Sequence, residues 1–221
     1  SRWINWVAVV AAGVTFAAPA FAVTSYRECV AAVEADPVTG VDAAMAWRDG
    51  GGGAPARHCV ALALLSLGQE EEAALRFEQL ALDADVGGPR QRAQILHQAG
   101  SAWLLATRPD EAETVLSSAI ELDPGDADLY VSRALAKRMR GEWAAVINDL
   151  DGALRRDATN VDALVLRGVA LRETGDYDRA RRDIDRALEL DPANVEARVE
   201  HGRLAYIAAG RGPDGQPLSS D

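Results

Sequence analysis

Residues 161–194 read VDALVLRGVALRETGDYDRARRDIDRALELDPAN, and this stretch decides the architecture. Leu164, Gly168 and Leu171 fall on one face at helical spacing, and so do Ala180, Ile184 and Ala187 further on. Gly175 marks a turn between the two runs, and Asp191-Pro192 ends the second. Proline has no amide to donate and disfavours helix in the residue before it. The stretch is therefore two helices joined by a tight turn, and it recurs. Gly100, Ala134, Gly168 and Gly202 follow one another at steps of 34, as do Leu116, Leu150 and Ile184, then Ala119, Ala153 and Ala187, then Ala112, Val146 and Ala180. Pro124, Ala158 and Pro192 keep the same step with the middle residue substituted.

The small residue of the first helix lets that helix approach its partner, where a larger side chain would hold the two apart. Leu96, Tyr130 and Leu164, with Trp103 and Leu171, then fill the space between helices. One hairpin cannot bury both faces, so stability must come from stacking on neighbours. Three units in register, 93–126, 127–160 and 161–194, resemble the tetratricopeptide repeat, a helix-turn-helix unit of this period. Three places depart from that pattern: Lys137 stands at a usually apolar or aromatic position, Thr107 replaces the turn glycine, and Ala158 replaces the proline. Upstream, 54–87 reads as another unit, with Ala61 at the small place and Gly68 in the turn. Its small residue lies 39 before Gly100, and the surplus fits a loop at Asp85–Pro89. Residues 23–53 form an atypical helical hairpin ended by Gly50–Gly53, 195–209 a capping helix, and 210–221 a disordered tail. The resemblance implies an all-α, right-handed solenoid of helix-turn-helix repeats, preceded by a signal peptide or membrane anchor helix.

Composition agrees. Forty-three alanines and only 5% aromatic residues disfavour a β-sandwich or barrel. Lys+Arg of 23 against Asp+Glu of 34 gives a net charge of -11, the wrong sign for coating a phosphate backbone, so nucleic acid is excluded as a partner. Trp3–Val23 carries no charge, follows Arg2, and contains Pro19 and Ala20-Phe21-Ala22, the layout of a cleavable secretory signal over residues 1–22. The same run is also long enough for a retained anchor, with membrane contact only through residues 3–23. Either reading places the rest outside the cytoplasm, where Cys29 and Cys59 are free to form a structural disulfide. A redox-active pair, or a metal site shared with His58 and His97, is the alternative. Neither has the short ligand spacing that marks such sites.

The resemblance further implies that first helices line a concave groove, in which residues at equal offsets form rails. One rail is acidic: Asp128, Asp162 and Glu196. Two are largely apolar, Val131, Val165 and Val199, then Leu135 and Val169 broken by Arg203. A fourth carries Arg138 and Arg172 and ends at Tyr206. An apolar floor with charged edges suits an amphipathic helix or an extended segment of another protein. The lysine and asparagine set with which some family members clamp a terminal carboxylate is absent, its places holding aspartate, valine and arginine. No phosphate loop, dinucleotide fingerprint or nucleophile elbow is present. The expectation is a non-catalytic scaffold or adaptor without cofactor, exported to the periplasm of a Gram-negative-type bacterium and bound to an envelope or inner-membrane protein. Its alternatives are an anchored accessory subunit of an inner-membrane complex and a thiol-redox or metal-binding protein.

Overall fold

In a computed structural model of the chain, residues 23–212 and residue 216 are described, and they form eleven α-helices with no sheet. A hairpin of α1 (Tyr26–Ala35) and α2 (Pro37–Asp49) precedes four full units: α3 (Gly53–Ser66) with α4 (Glu70–Leu82), α5 (Pro89–Leu105) with α6 (Pro109–Leu122), α7 (Ala127–Met139) with α8 (Trp143–Arg156), and α9 (Val161–Glu173) with α10 (Tyr177–Leu190). A single helix, α11 (Val195–Ala208), closes the array. Each helix packs on the next, and first helices of neighbouring units also touch, α5 on α7 and α9 on α11. This is the all-α, tetratricopeptide-type solenoid. The signal or anchor expected over 1–22, and most of the tail expected from 210, lie outside the described residues. Among the described residues no helix is long and apolar enough to cross a membrane.

α5 begins at Pro89, ahead of the unit expected to start at 93, and α2 of the N-terminal hairpin begins at Pro37. In both, proline is the first helical residue, where its missing amide is no loss and its fixed φ suits the helix. The surplus loop is therefore 83–88.

The small residue works as its position demands. A Cβ on Gly100 would lie 2.5 Å from Leu116 Cγ, and one on Gly168 would lie 2.7 Å from Ile184 Cδ1. Gly202, on the unpaired α11, has nothing within 4 Å of that point. The turn glycines Gly141 and Gly175 are left-handed, and Thr107 adopts the same conformation at φ 57°, a strained value for a β-branched residue.

A repeated ionic latch joins the units. Arg133 donates to both carboxylate oxygens of Asp149 at 3.0 and 2.7 Å, and to Ser117 of the preceding second helix at 3.1 Å. One period later Arg167 donates to both oxygens of Asp183 at 2.7 and 2.8 Å, and to Asp151 at 2.7 Å. Asp149 is buried, and Lys137 Nζ lies 2.8 Å from it. Lys137 thus stands where an apolar residue is usual because it helps to neutralise this carboxylate.

Candidate functional site

α7, α9 and α11 together line a depression of about 350 Å³. Val131, Leu135 and Arg138 come from α7, Asp162, Val165 and Leu166 from α9, and Glu196 from the first turn of α11, with Asn194 and Val195 beside it. Capping places the acidic side. Asn160 precedes α9 and Asn194 precedes α11, and each accepts from the amide three residues on, of Ala163 and of Ala197, both at 2.9 Å. Asp162 and Glu196 therefore sit in first turns, where a carboxylate complements the helix dipole. Asn160 also donates to Asp128 at 3.0 Å.

The charges at the mouth are unevenly committed. Asp162 is exposed and has no hydrogen bond or ion pair among the described residues. Arg138 reaches Glu196 across the depression at 3.9 Å, with 40% and 62% of the two side chains exposed. A pair so long and so solvated contributes about 0–1 kcal/mol, so both groups remain open to other partners.

The structure corrects the expected groove in several places. Val165 is only 3% exposed, packed among α9, α10 and α11, and forms the base of the depression rather than a free floor. Arg172, expected on the basic edge, is turned into the array: its Nε donates to Glu200 at 2.7 Å, and its side chain is 10% exposed. Glu200 is almost fully buried, and a buried carboxylate requires a cation. Arg203 serves the same carboxylate at 2.6 Å. Val169, Val199 and Arg203 do not line the depression, although Val199 is exposed. Asp128 faces the adjoining, more polar recess between Asp126 and Arg156. Leu166 and Val195 join the wall from offsets outside the rails. Asn194, the cap of α11, joins the wall as well.

Cys29 and Cys59 form a disulfide with Cα atoms 6.4 Å apart, both fully buried between α1 and α3. The histidines have separate partners. His58 Nδ1 is 2.9 Å from the Tyr26 hydroxyl and its Nε2 is 2.6 Å from Gln98 Oε1, while His97 Nε2 is 2.7 Å from Ser132 Oγ. The four residues of the alternative metal or thiol reading do not converge on one site. Burial pushes both imidazoles below the ordinary histidine range, and for His97 this outweighs the opposing pull of Asp126 and Asp128.

The tetratricopeptide repeat family model matches residues 161–194. No curated protein matches the chain. Among solved structures, the Arabidopsis OM64 TPR domain is 29% identical, with a TM-score of 0.52 over 53% of this chain and 97% of that one. The first TPR domain of Spaghetti (RPAP3), bound to the HSP90 peptide SRMEEVD, is 27% identical, with a TM-score of 0.54 over 54% of this chain and 98% of that one. MamA shares the fold at 23% identity, with a TM-score of 0.60 over 68% of this chain and 85% of its own.

Proposed function

We propose that the chain, which matches the tetratricopeptide repeat family model over residues 161–194 and is similar in fold to solved TPR domains, is a non-catalytic adaptor, and that it holds a segment of a partner protein in the depression formed by α7, α9 and α11. The observation that carries this reading is the meeting, at one place, of an apolar wall with the unpaired carboxylate of Asp162 and the loosely paired Glu196. The similar domain of Spaghetti holds a peptide, which supports a protein segment as the ligand class. That peptide is acidic, whereas the mouth here carries carboxylates, so the partner segment is apolar with a basic neighbour. The surroundings of Asp162 and Glu196 make them the residues to change. Asp162→Lys with Glu196→Lys should abolish co-purification of the native partner from the membrane fraction without altering helicity. Undiminished co-purification would count against the groove. Val165 is unsuitable for this test, since its burial makes a charge there a folding defect.

The export reading is supported by the Cys29–Cys59 disulfide and by the uncharged run Trp3–Val23. The length of that run, about 21 residues, also favours a second reading in which the segment is retained and the protein is an accessory subunit of an inner-membrane complex. Intact-mass measurement of the exported protein separates the two: loss of residues 1–22 excludes the anchor.

A further inference from the structure

A recess of about 580 Å³ lies at the opposite end of the array from the groove. Two departures from the regular period build it: the added α1–α2 hairpin, which supplies Tyr26, and the lengthened connection 83–88, which supplies Asp85, Val86 and Gly87. The three units in register lack both and cannot form it. Both additions are firmly held. Arg92 donates to the carbonyls of Ala81, Asp83 and Val86, the last two at 2.8 and 3.2 Å. Arg57 pairs with Asp83 at 2.8 Å and also with Asp85, whose other oxygen accepts from the amide of Ala54 at 3.0 Å. Gln91 lies so close over Gly87 that a Cβ there would fall 1.4 Å from Gln91 Oε1. On the facing wall the Tyr26 hydroxyl is 2.9 Å from His58 Nδ1, and the buried disulfide holds α1 against α3.

Gln91, Gln94 and Gln98 stand on successive turns of α5, about 4.5–6 Å apart along its axis. The first two are exposed without side-chain hydrogen bonds among the described residues. In the neutral ring, His58 accepts from the Tyr26 hydroxyl at Nδ1 and donates from Nε2 to Gln98 Oε1, which leaves the Gln98 amide nitrogen as a donor. The charge of Asp85 is matched by Arg57, yet its carboxylate keeps lone pairs beyond those given to Arg57 and to the Ala54 amide. Donors and acceptors therefore lie side by side, and none brings an unmatched charge that would attract an ion. An extended main chain turns its amides to one side only at every second residue, about 6.8 Å apart, a spacing the glutamine ladder does not share. Neighbouring ring hydroxyls, each a donor and an acceptor at once, suit the closer ladder. The Tyr26 ring, 39% exposed, offers a face to the C–H side of a sugar, and Leu80, Val86 and Ile95 make an aliphatic seat beside it. An acetamido substituent meets that seat with its methyl group and the glutamine amides with its carbonyl and N–H.

We propose that this recess is a saccharide site, one that takes a neutral sugar bearing an acetamido group. It is independent of the α7–α9–α11 groove and of the adaptor reading. The test uses the full chain with nitrogen-15 label and follows the side-chain amide signals of Gln91, Gln94 and Gln98 as methyl N-acetyl-β-glucosaminide is added. Saturable shifts are expected, and methyl β-glucoside, which lacks the acetamido group, should bind more weakly. Gln94→Ala, an exposed position, should weaken the apparent affinity about threefold to tenfold, the worth of one hydrogen bond. Gly87→Ala should weaken it too by displacing Gln91, while far-ultraviolet circular dichroism stays unchanged. Absence of saturable shifts, or unchanged affinity in Gln94→Ala, overturns the proposal. So does an equal response to N-acetyl-leucine N-methylamide, which would show that the amide is read without the sugar, or to methyl β-glucoside, which would show that the acetamido group is not read.

Discussion

Gly168 and Gly202 occupy the same offset in successive units, yet a methyl group added at each has opposite consequences. At Gly168 it meets Ile184 at 2.7 Å in a closed core, and Gly168→Ala should cost about 1–3 kcal/mol, the usual penalty of overpacking. At Gly202 it meets nothing within 4 Å, and Gly202→Ala should stabilise by about 0.5–1 kcal/mol through the lower entropy of the unfolded chain. Urea unfolding of the two variants checks both signs. Residue chemistry also sets a pH response. His58 and His97 have lowered pKa values in the folded state, so the folded chain binds fewer protons than the unfolded chain as the solution acidifies. Their contribution is complete above the ordinary histidine value of about 6.5 and is lost as pH falls from there toward the folded values. Thermal melts should therefore show a decline below about pH 6.5 that is smaller in a His58→Gln, His97→Gln variant.

At the scale of elements, the latch between units depends on buried charges rather than on apolar contact alone. Asp149 is enclosed by Arg133 and Lys137, whose side chains are themselves mostly covered. Removing the carboxylate alone leaves Arg133 with only the neutral Ser117 and Lys137 with only a 3.6 Å contact to Glu113, and Asp149→Ala should lower stability by about 3 kcal/mol. Replacing the triad jointly with apolar residues of similar volume should cost much less, because no charge is then left unpaired. Chemical denaturation of the single and triple variants makes the comparison. The latch left a trace in the sequence: Arg133 and Arg167, like Asp149 and Asp183, are one period apart. Spacing does not show which charges meet, and the third contact of each arginine reaches the unit before it. The rails misled for the same reason. Arg172 shares its offset with Arg138, but only Arg172 lies beside a buried glutamate, and that neighbour turned it away from the groove.

Across the whole molecule, every unit packs chiefly on the next, so local loosening need not spread. The disulfide closes a separation of 30 residues, for which the loop-entropy model assigns about 3–4 kcal/mol. In a Cys29→Ser, Cys59→Ser variant, hydrogen exchange should accelerate in α1 and α2 while α9 to α11 keep their protection. Uniform acceleration would show that the array unfolds as one body. The solenoid itself was legible from sequence alone, because each repeat answers the same local demands: a small residue at the helix crossing, a turn, apolar positions for the adjoining unit. Those demands recur at one period and need no knowledge of distant contacts. The candidate binding surface and the buried contacts were only partly legible. Val165 sank into the base of the groove, Arg138 reached over α9 to Glu196, and Tyr26, His58 and Gln98 came together from three units. Sequence thus determined the units and their order. Which side chains stay free for a partner was decided only by tertiary structure, since the stacking of units sets which buried charges and aliphatic surfaces meet.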